Sequence, residues 1–512
     1  MDKTKSPAIQ QIYPGGSAVK IRLKGLFAVA MSCFVGSCTV GTSAPPAADA
    51  NASKLNVVLI IVDDLGFMDV KANNPESFYD TPSIDKFASN GALFTNSYAS
   101  NPVCSPSRLA LLTGMNPASL NATDWFRHKG GKVRTGRMRP ADNINRMPLA
   151  LTTIAEATPN DYRSVFIGKW HLGEAETYWP ENQGFDINIG GWSVGSPRGG
   201  YFAPFINPRL KASATTPSEP TEYLTDRLTN EAIDQLNMAD GNPFLMVLSY
   251  YSVHVPLQAP QNLVDQYTAK QVSYEQHEEF SEEIQVWPKA KKTRIVRAKQ
   301  NHPVYAAMVE TVDANIGRFL DELNKLGLDD NTVVIITSDN GGLSTSEGRP
   351  TSNLPFRGGK GWLFDGGIRV PLMIRSPDIL GGTVIDTPVI ATDVAAGIFS
   401  LLGQVPADIE GQSIFPLTGR RLQATQRPLF WHYPHYSNQG GFPAAAVRVA
   451  DYKLIENLEN GEVMLFNLRK DKGELNNLAS KEQGKTEKLQ GLLRQWMDEN
   501  HAQTLRPFKV SK

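Results

Sequence analysis

Two apolar runs far apart in the chain end in the same way. Leu55-Asn56-Val57-Val58-Leu59-Ile60-Ile61-Val62 runs into Asp63-Asp64, and Thr332-Val333-Val334-Ile335-Ile336-Thr337-Ser338 runs into Asp339-Asn340-Gly341-Gly342. An unbroken β-branched run has no polar face to turn to water, so it fits a strand covered on both sides, as in a parallel sheet. Open sheets of that kind hold their functional groups just beyond the carboxyl ends of central strands. The pattern predicts an α/β fold: a large, mostly parallel central sheet flanked by helices. For either acidic pair alone, a helix cap or a solvated turn is an equally ordinary reading.

Tyr162–Ile167, Pro243–Tyr251, Ala92–Asn96 and Met373-Ile374 supply further strands. Helical patterns cover Thr81–Ala88, Met147–Ala157, Tyr223–Met238, Val304–Leu326 and Asp393–Leu402. Residues 196–221 read as a surface loop. Residues 262–302, acidic over Glu275–Glu283 and basic over Lys289–Lys299, read as irregular solvated surface. From about Gly411 the texture changes. Leu429–Tyr433, Ala446–Ile455 and Val463–Leu468 read as short strands, the last two joined near Asn460-Gly461, and Lys481–Asn500 as a helix. The expected organisation is a main α/β domain over 54–410 and a smaller antiparallel sheet with one helix over 411–512.

The chain has 512 residues, with 51 Lys plus Arg against 52 Asp plus Glu, a net charge of -1. That balance gives no global field for nucleic acid or a membrane surface, so attraction for an anion must be local. The N-terminus reads as an export signal over residues 1–38, with Lys20, Arg22 and Lys24 before an apolar run from Leu26 to Val35, then a flexible linker over 39–53. Val35-Gly36-Ser37-Cys38 resembles a bacterial lipobox, so a lipid-bearing Cys38 and a plain cleaved signal are both open. The expected location is the periplasm, or the cell surface as a lipoprotein.

Of three cysteines, Cys33, Cys38 and Cys104, only Cys104 lies beyond this segment. It opens Cys104-Ser105-Pro106-Ser107-Arg108-Leu109-Ala110-Leu111-Leu112-Thr113-Gly114. Pro106 suits a first helical turn, and the leucines give the helix a buried face. A thiol at a helix start is expected to have a lowered pKa and to sit at an anion seat. A core cysteine before a core helix is the plainer alternative.

The full string Cys-x-Pro-Ser-Arg with Leu-Thr-Gly resembles the signature of the type I sulfatases, members of the alkaline phosphatase superfamily. Gly168-Lys169-Trp170-His171-Leu172-Gly173, Gly184-Phe185-Asp186, the x-Pro after His254, and Lys360-Gly361-Trp362 through Arg369-Val370-Pro371 resemble that family too, in its order. Asp365 stands where the family string normally has Glu.

The resemblance implies a sulfuric ester hydrolase acting on sulfate monoesters. It implies that a separate maturation enzyme oxidises Cys104 to formylglycine. One hydroxyl of its hydrate would attack sulfur, and the other would expel sulfate as the aldehyde re-forms. Asp63, Asp64, Asp339, Asn340 and the converted Cys104 would ligate a divalent metal, calcium with magnesium as the alternative. Arg108 and Lys169 would hold the hydrate, His171 would assist breakdown of the adduct, His254 would protonate the leaving alcohol, and Lys360 would bind sulfate oxygens. The expected substrate is a sulfated polysaccharide or its oligosaccharides. Trp431-His432-Tyr433-Pro434-His435-Tyr436, with Asn438-Gln439-Gly440-Gly441, resembles a loop of polysaccharide sulfatases, in which His432 and His435 would line a sugar subsite or simply pack. A phosphonate or phosphodiester hydrolase of the same superfamily and a non-catalytic glycan-binding relative are the competing readings. A thiol redox protein is disfavoured by the lack of a second cysteine nearby.

Overall fold

The computed structural model describes residues 54–127, 136–211, 222–238, 241–274, 279–284, 293–415 and 427–507. The export signal, Cys38 and the linker to residue 53 lie outside the described residues, as do 212–221 of the expected loop and 285–292 of the charged stretch.

In chain order the strands are β1 Asn56–Val62, β2 Ala92–Phe94, β3 Ser97–Tyr98, β4 Arg163–Gly168, β5 Ile187–Ile189, β6 Phe244–Ser249, β7 Phe280–Ile284 and β8 Thr293–Arg297. They continue as β9 Thr332–Ser338, β10 Leu372–Arg375, β11 Thr383–Ile385, β12 Val389–Ile390, β13 Leu429–Tyr433, β14 Ala444–Val449, β15 Tyr452–Asn457 and β16 Val463–Asn467. The helices are α1 Pro82–Ser89, α2 Cys104–Thr113, α3 Leu224–Asn237, α4 Gln261–Val272, α5 Pro303–Lys325, α6 Asp365–Ile368, α7 Ala391–Leu401 and α8 Gln483–Glu499.

Eight strands form the main sheet in the order β11-β2-β10-β9-β1-β6-β4-β5. β9, β1, β6, β4 and β5 are mutually parallel, and β10 runs antiparallel to β9 and β2. Alternate residues of the central strands feed two different cores. Val58, Ile60 and Val62 pack with residues of α3 and α5, whereas Val57, Leu59 and Ile61 pack with residues of α2 and α7. This two-sided burial is why the run shows no polar alternation.

β13 to β16 form an antiparallel meander. Trp431, Ala444, Ala446 and Ile455 pack toward Tyr98, Val103, Trp362 and Phe364. Ala445, Val447 and Leu454 pack against Leu489 and Leu493 of α8. Beneath this seam Lys453, fully buried, bridges Asp365 at 2.8 Å and Glu474 at 2.9 Å. Asp365 also accepts from the Tyr98 hydroxyl at 2.9 Å, and its backbone N–H donates to Glu474. The shorter carboxylate at position 365 therefore anchors one sheet to the other.

Three expectations change. Met147–Ala157 is not helical. Thr153 and Glu156 cap each other in a single turn, and Ile154 and Met147 donate their N–H groups to Leu112 and Leu172 instead of to a helix of their own. The stretch 262–302 is not irregular throughout, because Tyr267 is fully buried beneath α4, and β7 and β8 pair as a hairpin ladder. Ala446–Ile455 is two strands, since the chain reverses at Ala450-Asp451, where Ala450 has φ +51°. Among the described residues no helix is long and apolar enough to cross a membrane.

Removing the cation from the inter-sheet network strands two buried carboxylates. Lys453→Met is expected to lower unfolding free energy by about 3–5 kcal/mol in urea titrations. A loss below about 1 kcal/mol would show that the network is not a major support.

Candidate active site

The register of β1 and β9 decides what meets at the sheet edge. Val62 pairs with Ser338, so the residues that follow, Asp63-Asp64 and Asp339-Asn340, emerge side by side. The Asp64 N–H donates to Asp339 Oδ1 at 3.2 Å, and Asn340 Nδ2 donates to Asp64 Oδ1 at 2.8 Å. All four side chains are buried.

β4 delivers Lys169 to the same edge. Gly168 has φ +99°, and a Cβ there would lie 2.0 Å from the Ser249 carbonyl oxygen, so only glycine fits beside β6. Lys169 Nζ donates to Asp63 Oδ2 at 2.5 Å. α2 supplies Cys104 at its first position and Arg108 one turn on, hence on the same face. Arg108 donates from Nε to Asp339 Oδ2 at 2.8 Å and from Nη1 to the Lys169 carbonyl and Ser249 Oγ. Lys360 Nζ donates to both Asp64 oxygens, at 2.7 and 2.8 Å.

Three carboxylates thus face three cations in a buried cluster. Burial and the neighbouring Asp339 push the Asp63 carboxyl well up, against the pull of Lys169. Against burial, Arg108 and Lys169 hold Asp339 well below the usual carboxylate range, and Lys360 holds Asp64 down. Against burial, Asp64 keeps the Lys360 ammonium well above its ordinary value, with Cys104 and Glu347 contributing.

Two buried acceptor oxygens in this cluster, Asp63 Oδ1 and Asn340 Oδ1, accept no hydrogen bond. Ligand atoms of Asp63, Cys104 and Asp339 lie within 4.8 Å of one another, as do those of Asp64, Cys104 and His254. Crowded hard oxygens with lone pairs to spare fit a divalent cation of the calcium or magnesium type. Zinc sites favour imidazole and thiolate instead.

A cavity of about 290 Å³ opens over the cluster. Cys104, His171, His254 and Lys360 line it, together with Trp125, Glu347, Asn438 and Gln439. His254 lies beyond β6, with Nδ1 2.8 Å from the Val255 carbonyl oxygen and Nε2 3.8 Å from Asp64 Oδ2. Burial, and then Lys360, lowers its pKa to about 3, which favours the neutral ring. His171 places Nε2 3.1 Å from the Phe126 carbonyl oxygen, and Gly195 makes room for its ring.

One expectation about Cys104 is corrected. Burial pushes its thiol up to about 12, which the nearby Lys169 and Lys360 do not offset, so the helix start does not activate it. His432 and His435 are likewise absent from the cavity wall. His432 Nε2 is 2.7 Å from the Gln503 carbonyl oxygen, His435 Nε2 is 2.8 Å from Thr123 Oγ1, and both rings are buried in packing. Their neighbours Asn438 and Gln439 reach the cavity instead. Trp125 and Glu347 lie in irregular segments without periodicity, so no sequence pattern distinguishes them. Ser249 had a weak signal as a hydroxyl closing an apolar strand.

The family comparison follows this geometry. The sulfatase family model matches residues 55–404, which hold every residue of the cluster. The chain belongs to the sulfatase family. A model described as N-sulphoglucosamine sulphohydrolase, C-terminal, matches residues 358–503. The chain is 27% identical to a sulfatase of Formosa agariphila over 89% of this chain and 91% of that protein. It is 28% identical to the N-acetylgalactosamine-6-sulfatase of Mus musculus over 78% of this chain and 71% of that protein. The solved structure of Ps i-CgsB in complex with k-i-k-neocarrahexaose superposes with a TM-score of 0.67 at 24% identity, over 87% of this chain and 93% of that one. This sulfatase has the alkaline-phosphatase-like fold and is a sulfuric ester hydrolase.

A buried, protonated thiol reacts slowly. Unconverted Cys104 in the folded protein is expected to alkylate with iodoacetamide at pH 8 at least about a hundredfold more slowly than in urea, read by mass spectrometry of its peptide. Equal rates would contradict the burial described.

Proposed function

We propose that this sulfatase hydrolyses sulfate monoesters on a sulfated polysaccharide or its oligosaccharides, with Cys104 converted to formylglycine as the nucleophilic residue and calcium as the resident metal. The observation that carries the reading is the position of residue 104. It lines the cavity together with Lys360 and His254, and burial pushes its thiol up rather than activating it. A converted residue 104 would supply a hydroxyl nucleophile that does not depend on thiol ionisation. A divalent cation on Asp63, Asp64, Asp339 and Asn340 would neutralise charge on the sulfate oxygens.

The remaining roles follow from reach and charge. Arg108 and Lys169 are fixed by Asp339 and Asp63, so they present positive charge beside residue 104 without reorganising. Lys360, held charged by Asp64, binds a nonbridging sulfate oxygen. His254, which lines the cavity with residue 104, would carry the proton released by the attacking hydroxyl to the leaving alcohol oxygen. His171, whose Nε2 is steered by the Phe126 carbonyl, assists release of sulfate from residue 104. Trp125 gives the cavity an aromatic wall, which suits the apolar face of a sugar ring. The glycan reading is supported by the N-acetylgalactosamine-6-sulfatase relative and by the neocarrahexaose-bound neighbour. A formylglycine-generating enzyme is the required partner, and the N-terminal sequence completes the proposal with export, either to the periplasm after signal cleavage or to the cell surface with Cys38 as a lipid anchor.

Protein made with a formylglycine-generating system is expected to show Cys104 as the aldehyde by peptide mass spectrometry and to release sulfate from sulfated oligosaccharides. Cys104→Ala is expected to lose at least about 10³-fold in kcat, as removal of a nucleophile does. An unmodified thiol in active enzyme, or faster turnover of phosphate esters than of sulfate esters, would overturn the proposal.

A further inference from the structure

One carboxylate at the cavity wall has no part in the cluster beneath it. Glu347 lies between β9 and α6, and its Oε1 accepts from Asn438 Nδ2 at 2.8 Å and from Gln439 Nε2 at 2.9 Å. Two neutral amides from the β13–β14 connection therefore fix the group in place without cancelling its charge. No described cation forms an ion pair with it, although arginines crowd this wall: Arg294 donates to the carbonyls of Thr345 and Asn438, not to Glu347. Oε2 accepts no hydrogen bond from a described residue.

The backbone adds a second observation. Glu347 has φ +54°, in the left-handed region that favours glycine, although a glycine follows it at 348. This left-handed backbone turns the side chain toward Asn438 and Gln439, where Oε1 is held by both amides. Glu347 shares the cavity with Lys360 and Cys104, and its field reaches the Lys360 ammonium. One cavity thus carries a fixed carboxylate on its wall and the Lys360 ammonium beside residue 104.

An anion pinned beside an anion-binding floor sorts ligands by charge. It repels a second sulfate or carboxylate carried next to the scissile ester, and it accepts a hydroxyl or amide N–H offered from that position. We propose that Glu347, clamped by Asn438 and Gln439, restricts this sulfatase to sugar sulfates whose neighbouring substituent is a neutral hydrogen-bond donor, and excludes vicinally disulfated or uronate-bearing ones. This inference rests on the sulfated-glycan reading above and names the substrate subclass within it.

The test compares matched monosulfated and vicinally disulfated hexosamines as substrates, with 4-nitrophenyl sulfate alongside, for formylglycine-containing wild-type protein, Glu347→Gln and Glu347→Asp. The quantity read is the ratio of kcat/KM for the mono- and disulfated sugars within each protein, so a general loss of activity cancels. Wild-type protein is expected to prefer the monosulfated sugar, Glu347→Gln to shift the ratio toward the disulfated one by on the order of tenfold, and Glu347→Asp to retain the preference. The shift is expected to shrink from 20 mM to 500 mM salt, as the Debye length falls from roughly 20 Å to about 4 Å. An unchanged ratio in Glu347→Gln, with sugars still hydrolysed, overturns the role of Glu347 alone. Hydrolysis of 4-nitrophenyl sulfate with no sugar sulfate turned over by any of the three proteins overturns the glycan reading and this inference with it.

Discussion

The pairing of β1 with β9 is the constraint on which the site depends. Because Val62 lies opposite Ser338, two acidic dipeptides leave the sheet together and in register. Each carboxylate is then buried beside like charge, which is tolerable only with cations close by. Lys169 arrives from β4 to pair with Asp63, Arg108 from α2 to pair with Asp339 and Asp63, and Lys360 from the segment before α6 to pair with Asp64. Leu109, Leu111 and Leu112 hold α2 in the apolar core, and Arg108 ties its N-terminal half, with residue 104, to the carboxylates at the sheet edge.

The same cluster accounts for the chemistry of residue 104. A thiol at a helix start is often activated, yet here burial outweighs the helix and the two nearby lysines. Lys169 and Lys360 pull the thiol down, but burial outweighs them and the nearby Asp339 and Asp63 add to the rise. A site that binds an anion and yet keeps its thiol protonated is suited to a different nucleophile at that position. The second sheet contributes from the other side: through Lys453 and Asp365 it is tied to α6, and its β13–β14 connection supplies Asn438 and Gln439 to the cavity wall.

Much of this was legible in the sequence where local pattern and tertiary role coincide. The strands buried on both faces showed as unbroken apolar runs, and the family resemblance marked the acidic residues after them as expected ligands. The strings around Cys104, Lys169 and Lys360 mark segments whose backbone must reach the same edge. The misreadings share a cause, which is that partners distant in sequence decide the outcome. Met147–Ala157 has helical composition, but its N–H groups bond to other segments. Tyr267 turns a charged surface stretch into a docked helix. His432 and His435 carry the residue types of a subsite, but His432 in β13 and His435 just beyond it are taken up by the Gln503 carbonyl and the Thr123 hydroxyl, while the irregular segments bearing Trp125 and Glu347 have no period to read.

The central claim is that the ends of β1 and β9 form one divalent-cation cage with residue 104 at its edge. Calorimetric titration of calcium and of magnesium into chelator-treated protein, beside Asp339→Asn and Asn340→Ala, tests it most directly. The account predicts one cation bound per chain, at least tenfold weaker binding (about 1.4 kcal/mol) in each variant, and a thermal stabilisation by the cation that Asp339→Asn loses. No binding by the wild-type protein, or binding that both substitutions leave intact, would contradict it.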